Sequence, residues 1–456
     1  MGRSSMKSFV MVPLACALAM SVTACGQRQT NTNTDTQAVQ QEQTPTSATS
    51  EPAVTTTTQE KTSDAEQATK TTQATAASVK TSIDGMSSDG VVDTSDLFSD
   101  RDLEQSVDLV GATYLSLASG QDVTVSKEGT YVLVGDVSNT TVVVDAEGAK
   151  VQLVLDGANI TNDSAPAIYV KNADKVFVTT AKDSQNSLSV TGEFTADGET
   201  NTDAVIFSKD DLTLNGLGTL IIASTNNGVT SKDDLKVTGG SYKITCDADA
   251  LEANDSIRIA DGTFDITSGK DALHSENSDD DSKGYVYILN GNFTINASDD
   301  GIQGTTYTQI DGGTITIDAV EGIEGTYVQI NGGDISVSAS DDGINASQKT
   351  SQFTPTIEIR GGNVKVAMGQ GDTDALDSNG YLYVRGGTID IQGQFAFDFD
   401  LGSEFTGGTI TVNGEQVSEI TNSMQMGGGP GGMGGRGDMG GGPGGGPGGG
   451  MGGPGF

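Results

Sequence analysis

The middle of the chain alternates apolar and polar residues around regularly placed glycines. Ile315 and Ile317 follow Gly313 at two and four residues, and apolar residues occupy the same two offsets after most glycines of this series. Strict alternation with β-branched residues on one side predicts short, half-buried β-strands. No part of this region keeps a helical period over several turns.

These strand segments recur with a period in the twenties. One glycine marks each repeat, at Gly218, Gly240, Gly262, Gly291, Gly313, Gly333, Gly362, Gly387 and Gly408. Polar insertions at residues 276–283 and 347–355 account for the two longest intervals. Strands joined by Gly, Asn and Asp corners at about 21–22 residues per repeat are typical of a solenoid. We therefore predict an all-β fold, a parallel β-helix with about three strands per coil; the family resemblance given below implies that it is right-handed.

The composition agrees with a thin, stacked core. Only 34% of the 456 residues are hydrophobic and none is Trp, which is low for a large globular core but adequate for a solenoid. The formal net charge of −38 argues against nucleic acid as a partner and favours cations. We expect the protein to be a monomer.

The first residues have the pattern of a bacterial export signal. Arg3 and Lys7 precede an apolar run, and the tetrapeptide that ends at Cys25 matches a lipobox, in which the cysteine is acylated. A plain cleaved signal or a membrane span is the alternative, but the run is short for a span. The sequence predicts a protein outside the cytoplasm, on the cell surface, attached to the membrane only through a lipid on Cys25.

Composition divides the rest of the chain into three parts after a signal peptide at residues 1–24. Residues 25–104 are rich in Thr, Gln, Ser and Ala and are expected to be a flexible tether with a reach of roughly 50 Å. Residues 105–423 hold the repeats and are assigned to the β-helix. Residues 424–456 are rich in Gly, Pro and Met, and we expect a disordered tail.

Acidic residues recur at one phase of the repeat. Asp300, Glu321 and Asp342 lie 21 residues apart, each before Gly and Ile. Two carboxylates on neighbouring coils, about 4.8 Å apart, repel by about 3 to 4 kcal/mol at an effective dielectric constant of 20, so the column needs protonation or a cation. The alternative is a set of solvated Asp-Gly corners.

Calcium is the predicted cofactor of this column. Twice a calcium–oxygen distance of about 2.4 Å matches the coil spacing, and clustered hard oxygen ligands argue against zinc. The candidate metal ligands are Asp249, Asp271, Asp299, Asp300, Glu321, Asp341, Asp342 and Asp374.

A second column is aromatic and lies in the outward phase of the strands. Its tyrosines recur six residues before the marker glycines, with Tyr or Gln two residues further on. Rings at coil spacing could stack on sugar faces while the glutamines bond hydroxyl groups; alternatively, the rings form a ladder that only supports the coils. The candidate carbohydrate-binding residues are Tyr285, Tyr287, Tyr307, Gln309, Tyr327, Gln329 and Tyr381.

The chain resembles the right-handed parallel β-helix carbohydrate-binding lipoproteins of clostridial type, which are relatives of polysaccharide lyases. The resemblance covers about residues 106–423 and is carried by VTVSKEGTYVL at 123–133, VQLVLDG at 151–157, Ile160-Thr161-Asn162 and the later Asp-Gly-Ile units. It implies calcium-dependent binding of plant-type polysaccharide, cellulosic or pectic. It also implies calcium ligands at Asp249, Asp271, Asp300, Glu321 and Asp342.

Two other classes of function remain open. Lyases of this architecture use calcium to neutralise a uronate carboxylate and a Lys or Arg to remove the neighbouring proton, and Lys270 beside Asp271 is the weak catalytic candidate. His274, the one His of the chain, is interpreted as a polar turn residue. Because basic residues are sparse near the acidic column, we assign no catalytic residue. A structural surface spacer or adhesin is the third class.

The lipid anchor can be tested by changing one residue. Cys25→Ser should move the protein from the membrane fraction to the soluble fraction, because no other segment of the sequence is long enough to span a bilayer. Fractionation followed by immunoblotting measures this. Cys16→Ser, inside the segment that is removed, is the control and should leave the protein on the membrane.

Overall fold

The computed structural model describes residue 94, residues 96–371 and residues 373–423. Within these residues the chain forms 34 strands. The predicted signal peptide, the lipidation site Cys25, most of the tether and the Gly-rich tail lie outside them. In the described part of the chain, no helix has the length and apolar character needed to cross a membrane.

Each coil contributes one strand to each of three walls. The first wall precedes the glycine corners and contains β1 (Thr113–Ser116), β3 (Gly129–Ser138), β5 (Lys150–Asn162), β7 (Lys175–Thr180), β10 (Leu212–Gly216), β13 (Asp234–Val237), β16 (Ser256–Ile259), β19 (Tyr285–Ile288), β21 (Asp300–Ile310), β23 (Glu321–Ile330), β26 (Thr356–Ile359), β29 (Tyr381–Val384) and β32 (Gly402–Phe405). Four of these, β3, β5, β21 and β23, bend through a corner and also serve a neighbouring wall.

The second wall follows the glycine corners. After the later halves of β3 and β5 it contains β8 (Gln185–Val190), β11 (Thr219–Ser224), β14 (Ser241–Cys246), β17 (Thr263–Ser268), β20 (Asn292–Ala297), β22 (Thr314–Ala319), β24 (Asp334–Ala339), β27 (Asn363–Met368), β30 (Thr388–Gln392) and β33 (Thr409–Val412), with β34 (Glu415–Val417) antiparallel to β33.

The third wall closes the coil. Besides the first halves of β21 and β23 it contains β2 (Val123–Val125), β4 (Val142–Asp145), β6 (Ile168–Asn172), β9 (Ala204–Ser208), β12 (Asn227–Ser231), β15 (Leu251–Ala253), β18 (Leu273–Ser275), β25 (Ile344–Ala346), β28 (Asp374–Ser378) and β31 (Phe395–Phe399). Strands of successive coils pair in parallel, as between β17 and β20. The predicted all-β parallel β-helix is confirmed.

The interior is a continuous stack of apolar side chains. Strands of the second wall alternate buried and exposed residues, as predicted for half-buried strands. Inside this wall the rings of Tyr242, Phe264 and Phe293 stack with centroids 5.3 and 4.5 Å apart. Cys246 also points inward, and burial raises the pKa of its thiol to about 12, so this cysteine is not a reactive group.

The corner glycines hold the walls close together. Gly313 has φ +99°, a conformation that L side chains rarely adopt, and a Cβ atom there would lie 2.8 Å from the carbonyl oxygen of Gly291 on the preceding coil. The repeat therefore needs glycine at this corner for two reasons, backbone conformation and the close approach of the next coil.

Residues 97–105 form a strap across the outer face of the first wall. The Asp102 carboxylate lies 2.6 Å from Lys175 Nζ and 3.6 Å from Lys236 Nζ, and it accepts a hydrogen bond of 2.8 Å from Thr213. The Gly216 amide donates to Gln105 Oε1. The predicted boundary at residue 105 is therefore too late, because these eight preceding residues pack on the β-helix.

Both polar insertions leave the coil between the third and first walls. The backbone amide and hydroxyl of Ser351, in the second insertion, donate to Asp281 Oδ2, in the first insertion, at 3.1 and 2.6 Å. The two insertions thus contact each other along one edge of the β-helix. They cover part of the outer face of the first wall.

Candidate functional site

The predicted acidic residues enter the third wall at the same corner of successive coils. Asn227, Asp249 and Asp271 each accept, through Oδ1, the backbone N–H of the residue one coil further along, at 3.0, 3.1 and 2.9 Å. Asp342 accepts the N–H of Asp374 in the same way at 3.2 Å. One oxygen of each carboxylate therefore satisfies the backbone, and Oδ2 is left for another partner.

A second polar column runs beside the first on the outer face of the third wall. Its members stand three residues after the acids and pair in register: Thr230, Glu252, His274, Gln303, Glu324, Asn345 and Asp377. They are not among the predicted metal ligands, although their positions share the period of the acids at a fixed offset in the sequence.

The two columns meet in three groups whose ligand atoms lie within 4.8 Å of one another. The groups are Asp249, Asp271 and His274; Asp271, Asp299 and Asp300; and Asp300, Glu321 and Glu324. Five of the eight predicted metal ligands are therefore brought together. Among the described residues, Asp341, Asp342 and Asp374 do not join a group of this kind.

Burial and mutual repulsion raise the pKa of four acidic residues of the column. Burial raises the pKa of Glu321 to about 7 and those of Asp271 and Asp342 to about 6. The pKa of Asp300 is raised too, first by burial and then by the negative charges of Asp271 and Glu324. Protonation, one of the two forms of relief predicted for the column, thus operates when no metal ion is bound.

His274 relieves the first group with a protein cation. Its Nδ1 lies 3.3 Å from Asp271 Oδ2 and 3.6 Å from Asp249 Oδ2. Burial opposes the charged imidazole, but the two carboxylates outweigh it and raise the pKa of His274. The expectation of a simple turn residue is therefore incomplete, because His274 is a counter-ion of the acidic column.

The carboxylates of Asp300, Glu321 and Glu324 are held by neighbouring N–H donors and by one lysine. The Gln303 amide donates to both Asp300 and Glu324, and the ammonium of Lys349 lies 2.7 Å from Glu324 Oε2 as a stand-in cation. The amide of Asn345 donates to Glu321 Oε2 at 2.9 Å.

Two features of this group fit calcium. The carbonyl oxygen Oδ1 of Asn345 is buried and has no hydrogen-bond partner in the described part of the chain. Oxygen atoms up to 4.8 Å apart agree with calcium–oxygen distances of about 2.3–2.6 Å on either side of one ion. Asp300, Glu321, Glu324 and Asn345 would hold the ion, which would supply positive charge in place of protons.

An aromatic cleft of about 710 Å³ lies next to this group, between the second insertion and the first wall. Tyr381 and Tyr383 stack on each other with centroids 5.5 Å apart, and the Arg385 guanidinium lies 4.9 Å from the ring of Tyr383. The cleft is lined by Asp281, Tyr327, Gln348, Lys349, Thr350, Ser351, Gln352, Phe353, Thr354, Thr356, Tyr381 and Tyr383. Its volume and its mixture of rings and polar groups suit a small polar ligand.

The predicted tyrosine column exists, but most of it is not exposed. Tyr285, Tyr307 and Tyr327 pair on consecutive coils, and the first two rings stack 4.5 Å apart. Tyr285, Tyr287, Gln309, Tyr327 and Gln329 are buried and Tyr307 is half-buried. The expectation of an exposed platform is therefore wrong for this part of the column, whose geometry agrees with the alternative of a supporting ladder.

Two segments outside the repeat cover these rings. Leu97 and Phe98 of the strap pack against Tyr285 and Tyr287, and Phe353 of the second insertion lies 6.2 Å from the Tyr307 ring. Tyr381 is the predicted residue that reaches the cleft as a half-buried ring, and Tyr383, two residues further, was missed from the candidate residues.

Lys270, the weak catalytic candidate, and the arginines of the first wall lie in different surroundings. Lys270 is exposed at the corner before Asp271. Arg258 pairs with Asp234 at 2.9 Å, and Arg385 pairs with Glu358 at 2.8 Å, both on the first wall. The structure adds nothing that assigns Lys270 a role in catalysis.

The molecule is a parallel β-helix that carries an acidic column and an aromatic cleft. Residues 119–375 match the sequence profile of the carbohydrate-binding domain-containing protein family. Because this match covers more than half of the chain, the chain belongs to that family.

Two individual proteins are similar to this chain. A carbohydrate-binding domain-containing protein of Acetivibrio thermocellus is 36% identical over 130 residues, which are 28% of this chain and 46% of that protein. The chain thus matches about half the length of this relative. The solved structure of the polysaccharide lyase-like protein from C. thermocellum, a gadolinium derivative, is 25% identical with a TM-score of 0.38, over 64% of this chain and 88% of that chain.

The raised pKa values predict how stability depends on pH without metal ions. Between the pKa of about 4 of an unfolded carboxyl group and its higher folded pKa, the folded state binds more protons, so the free energy of unfolding falls as pH rises. In chelator, the melting temperature should decrease from pH 5 to pH 8. Asp300→Asn should reduce this decrease and raise the melting temperature at pH 8.

Calorimetry on the full chain measures both effects. Asp318→Asn, an exposed acid of β22, is the matched control and should change neither. A pH dependence that is the same in Asp300→Asn and in the unchanged protein would contradict the electrostatic account of the column.

Proposed function

We propose that this chain is a calcium-dependent carbohydrate-binding lipoprotein of the cell surface that binds plant-type polysaccharide, pectic or cellulosic. The membership of the carbohydrate-binding domain family supports the binding of carbohydrate. The aromatic cleft beside the acidic column is the observation that carries the proposal to a particular surface. The lipobox at Cys25 supports the anchor.

The cleft supplies the contacts that a sugar chain needs. The half-buried ring of Tyr381, supported by the stacked ring of Tyr383, offers an apolar surface, and stacking of a sugar ring on an aromatic face removes apolar C–H groups from water. Around them, Gln348, Ser351 and Gln352 provide amide and hydroxyl groups for sugar hydroxyls. We assign the carbohydrate site to this cleft rather than to the covered part of the tyrosine column.

A cation bound by the acidic column would stabilise the part of the chain that forms the cleft. The second insertion leaves the coil directly after β25, beside the group of Asp300, Glu321 and Glu324. Lys349 of this insertion is bonded to that group. A cation bound there would remove the repulsion among the carboxylates, so calcium binding would stabilise the coils that carry the cleft.

Calcium should raise the thermal stability of the full chain at pH 8. A ligand that binds only the folded state adds about 2.7 kcal/mol at a hundred times its Kd, which corresponds to an increase of about 5 °C in the melting temperature of a domain of this size. Asp300→Asn combined with Glu321→Gln should remove most of the increase, whereas Asp318→Asn should retain it. Equal melting temperatures in calcium and in chelator would rule out the calcium site.

Binding of oligosaccharides should depend on the half-buried tyrosines Tyr381 and Tyr383 of the cleft. Tyr381→Ala and Tyr383→Ala should each weaken binding by about fivefold, the effect of one lost ring contact of about 1 kcal/mol. Titration with a galacturonate trimer and a β-1,4-glucose trimer measures this. Tyr114→Ala removes an exposed ring of β1, far along the same wall, and should have no effect.

The same titrations separate the three classes of function. An ultraviolet absorbance from an unsaturated uronate product that disappears in Lys270→Ala would identify a lyase. Neither binding nor product, across pectic and cellulosic oligosaccharides, would leave a structural spacer.

A further inference from the structure

Lys349 lies in both parts of the site. Its ammonium contacts Glu324 Oε2 at 2.7 Å, inside the group that Glu324 forms with Asp300 and Glu321. The same side chain lines the aromatic cleft. Lys349 belongs to the second insertion rather than to the repeat, so the stacking of coils does not require a lysine at this position.

The Lys349 ammonium is a counter-ion of the acidic group and is still accessible. Its side chain is 28% exposed, whereas that of Glu324 is 5% exposed. Burial disfavours the ammonium ion, but Glu324 and Asp300 outweigh it and hold the pKa of Lys349 above its usual value. An ammonium on a flexible four-carbon chain can leave such a position without any movement of the backbone.

We propose that Lys349 is an exchangeable counter-ion, which leaves Glu324 when calcium binds and then selects polysaccharides with carboxylate groups in the cleft. The inference rests on the proposed function, because it takes the acidic group as a calcium site and the cleft as the carbohydrate site.

Charge and space both favour exchange over simultaneous binding. Three carboxylates face one ammonium, and a dication supplies twice its charge together with the ability to take six or more oxygen ligands. Glu324 Oε2 already has two polar partners, the Lys349 ammonium at 2.7 Å and the Gln303 amide at 2.6 Å. A calcium ion bound to this oxygen would therefore take the place of one of them.

The Lys349 side chain lines the cleft, where a released ammonium would be within reach of a bound sugar. An ammonium forms charge-assisted hydrogen bonds with a carboxylate, which a neutral sugar does not offer. On a chain with a net charge of −38, such a local cation is what lets an acidic sugar approach.

The experiment measures calcium affinity and sugar affinity separately on the full chain, by calorimetry. In the unchanged protein, calcium should strengthen binding of the galacturonate trimer by at least about fivefold and leave the glucose trimer unchanged. Lys349→Gln should bind calcium about fivefold more tightly, because the internal competitor is gone, and should lose the gain for galacturonate.

Two further variants test whether the effect belongs to the charge at Lys349. Lys283→Gln breaks a similar pair, with Asp255 at 2.5 Å, at the other insertion and should behave like the unchanged protein. Lys349→Arg retains the charge and should restore the preference for galacturonate. Circular dichroism checks that each variant is folded.

Several results would overturn the inference. Unchanged calcium affinity in Lys349→Gln would show that Lys349 does not compete with the metal. A calcium-dependent gain for galacturonate that survives in Lys349→Gln would show that calcium itself bridges protein and sugar. If calcium binds the unchanged protein but neither trimer does, both the carbohydrate site and the selection of sugars with carboxylate groups are refuted. Tighter calcium binding in Lys349→Gln would then still support the exchange of counter-ions.

Discussion

The spacing of parallel strands is the constraint on which the other features of this molecule depend. Each coil places its residues about 4.8 Å from the equivalent residues of the next coil. Inside the walls this repetition is favourable, as in the stack of Tyr242, Phe264 and Phe293. On the outside it forces carboxylates against carboxylates, where Coulomb repulsion is large unless something neutralises it.

The protein relieves this repulsion differently at each level of the column. Backbone amides of the next coil bind one oxygen of Asp249 and Asp271. His274 supplies positive charge at one level and Lys349 at another, and protons remain on carboxyl groups such as Glu321 to higher pH than usual. The negative charge of the acidic column is thus balanced by a different group at each level.

The repeat was predictable from the sequence because its signals are local. Alternation over five residues, a glycine at each corner and an acid at a fixed offset are visible without any knowledge of contacts, so the fold could be predicted, together with the acids that lie side by side on successive coils. The segments that cover the first wall, namely the strap and the second insertion, could not be predicted in this way. Gln105 bonds to Thr238 across 133 residues, and no periodic signal marks such a contact. For this reason the burial of Tyr287 and Tyr327, and the position of the open cleft, emerged only from the structure.

The strap also changes how the solenoid comes apart. In a repeat protein each coil contacts its neighbours alone, so unfolding can spread from one end in steps. Residues 97–105 bind β7 through Lys175, β13 through Lys236 and β19 through Tyr287, and so connect coils that do not otherwise touch. Local unfolding of one of these coils must break its contacts with the strap, which also binds the other coils. The strap therefore makes the central coils a single cooperative unit, in which local opening is coupled to the loss of the whole.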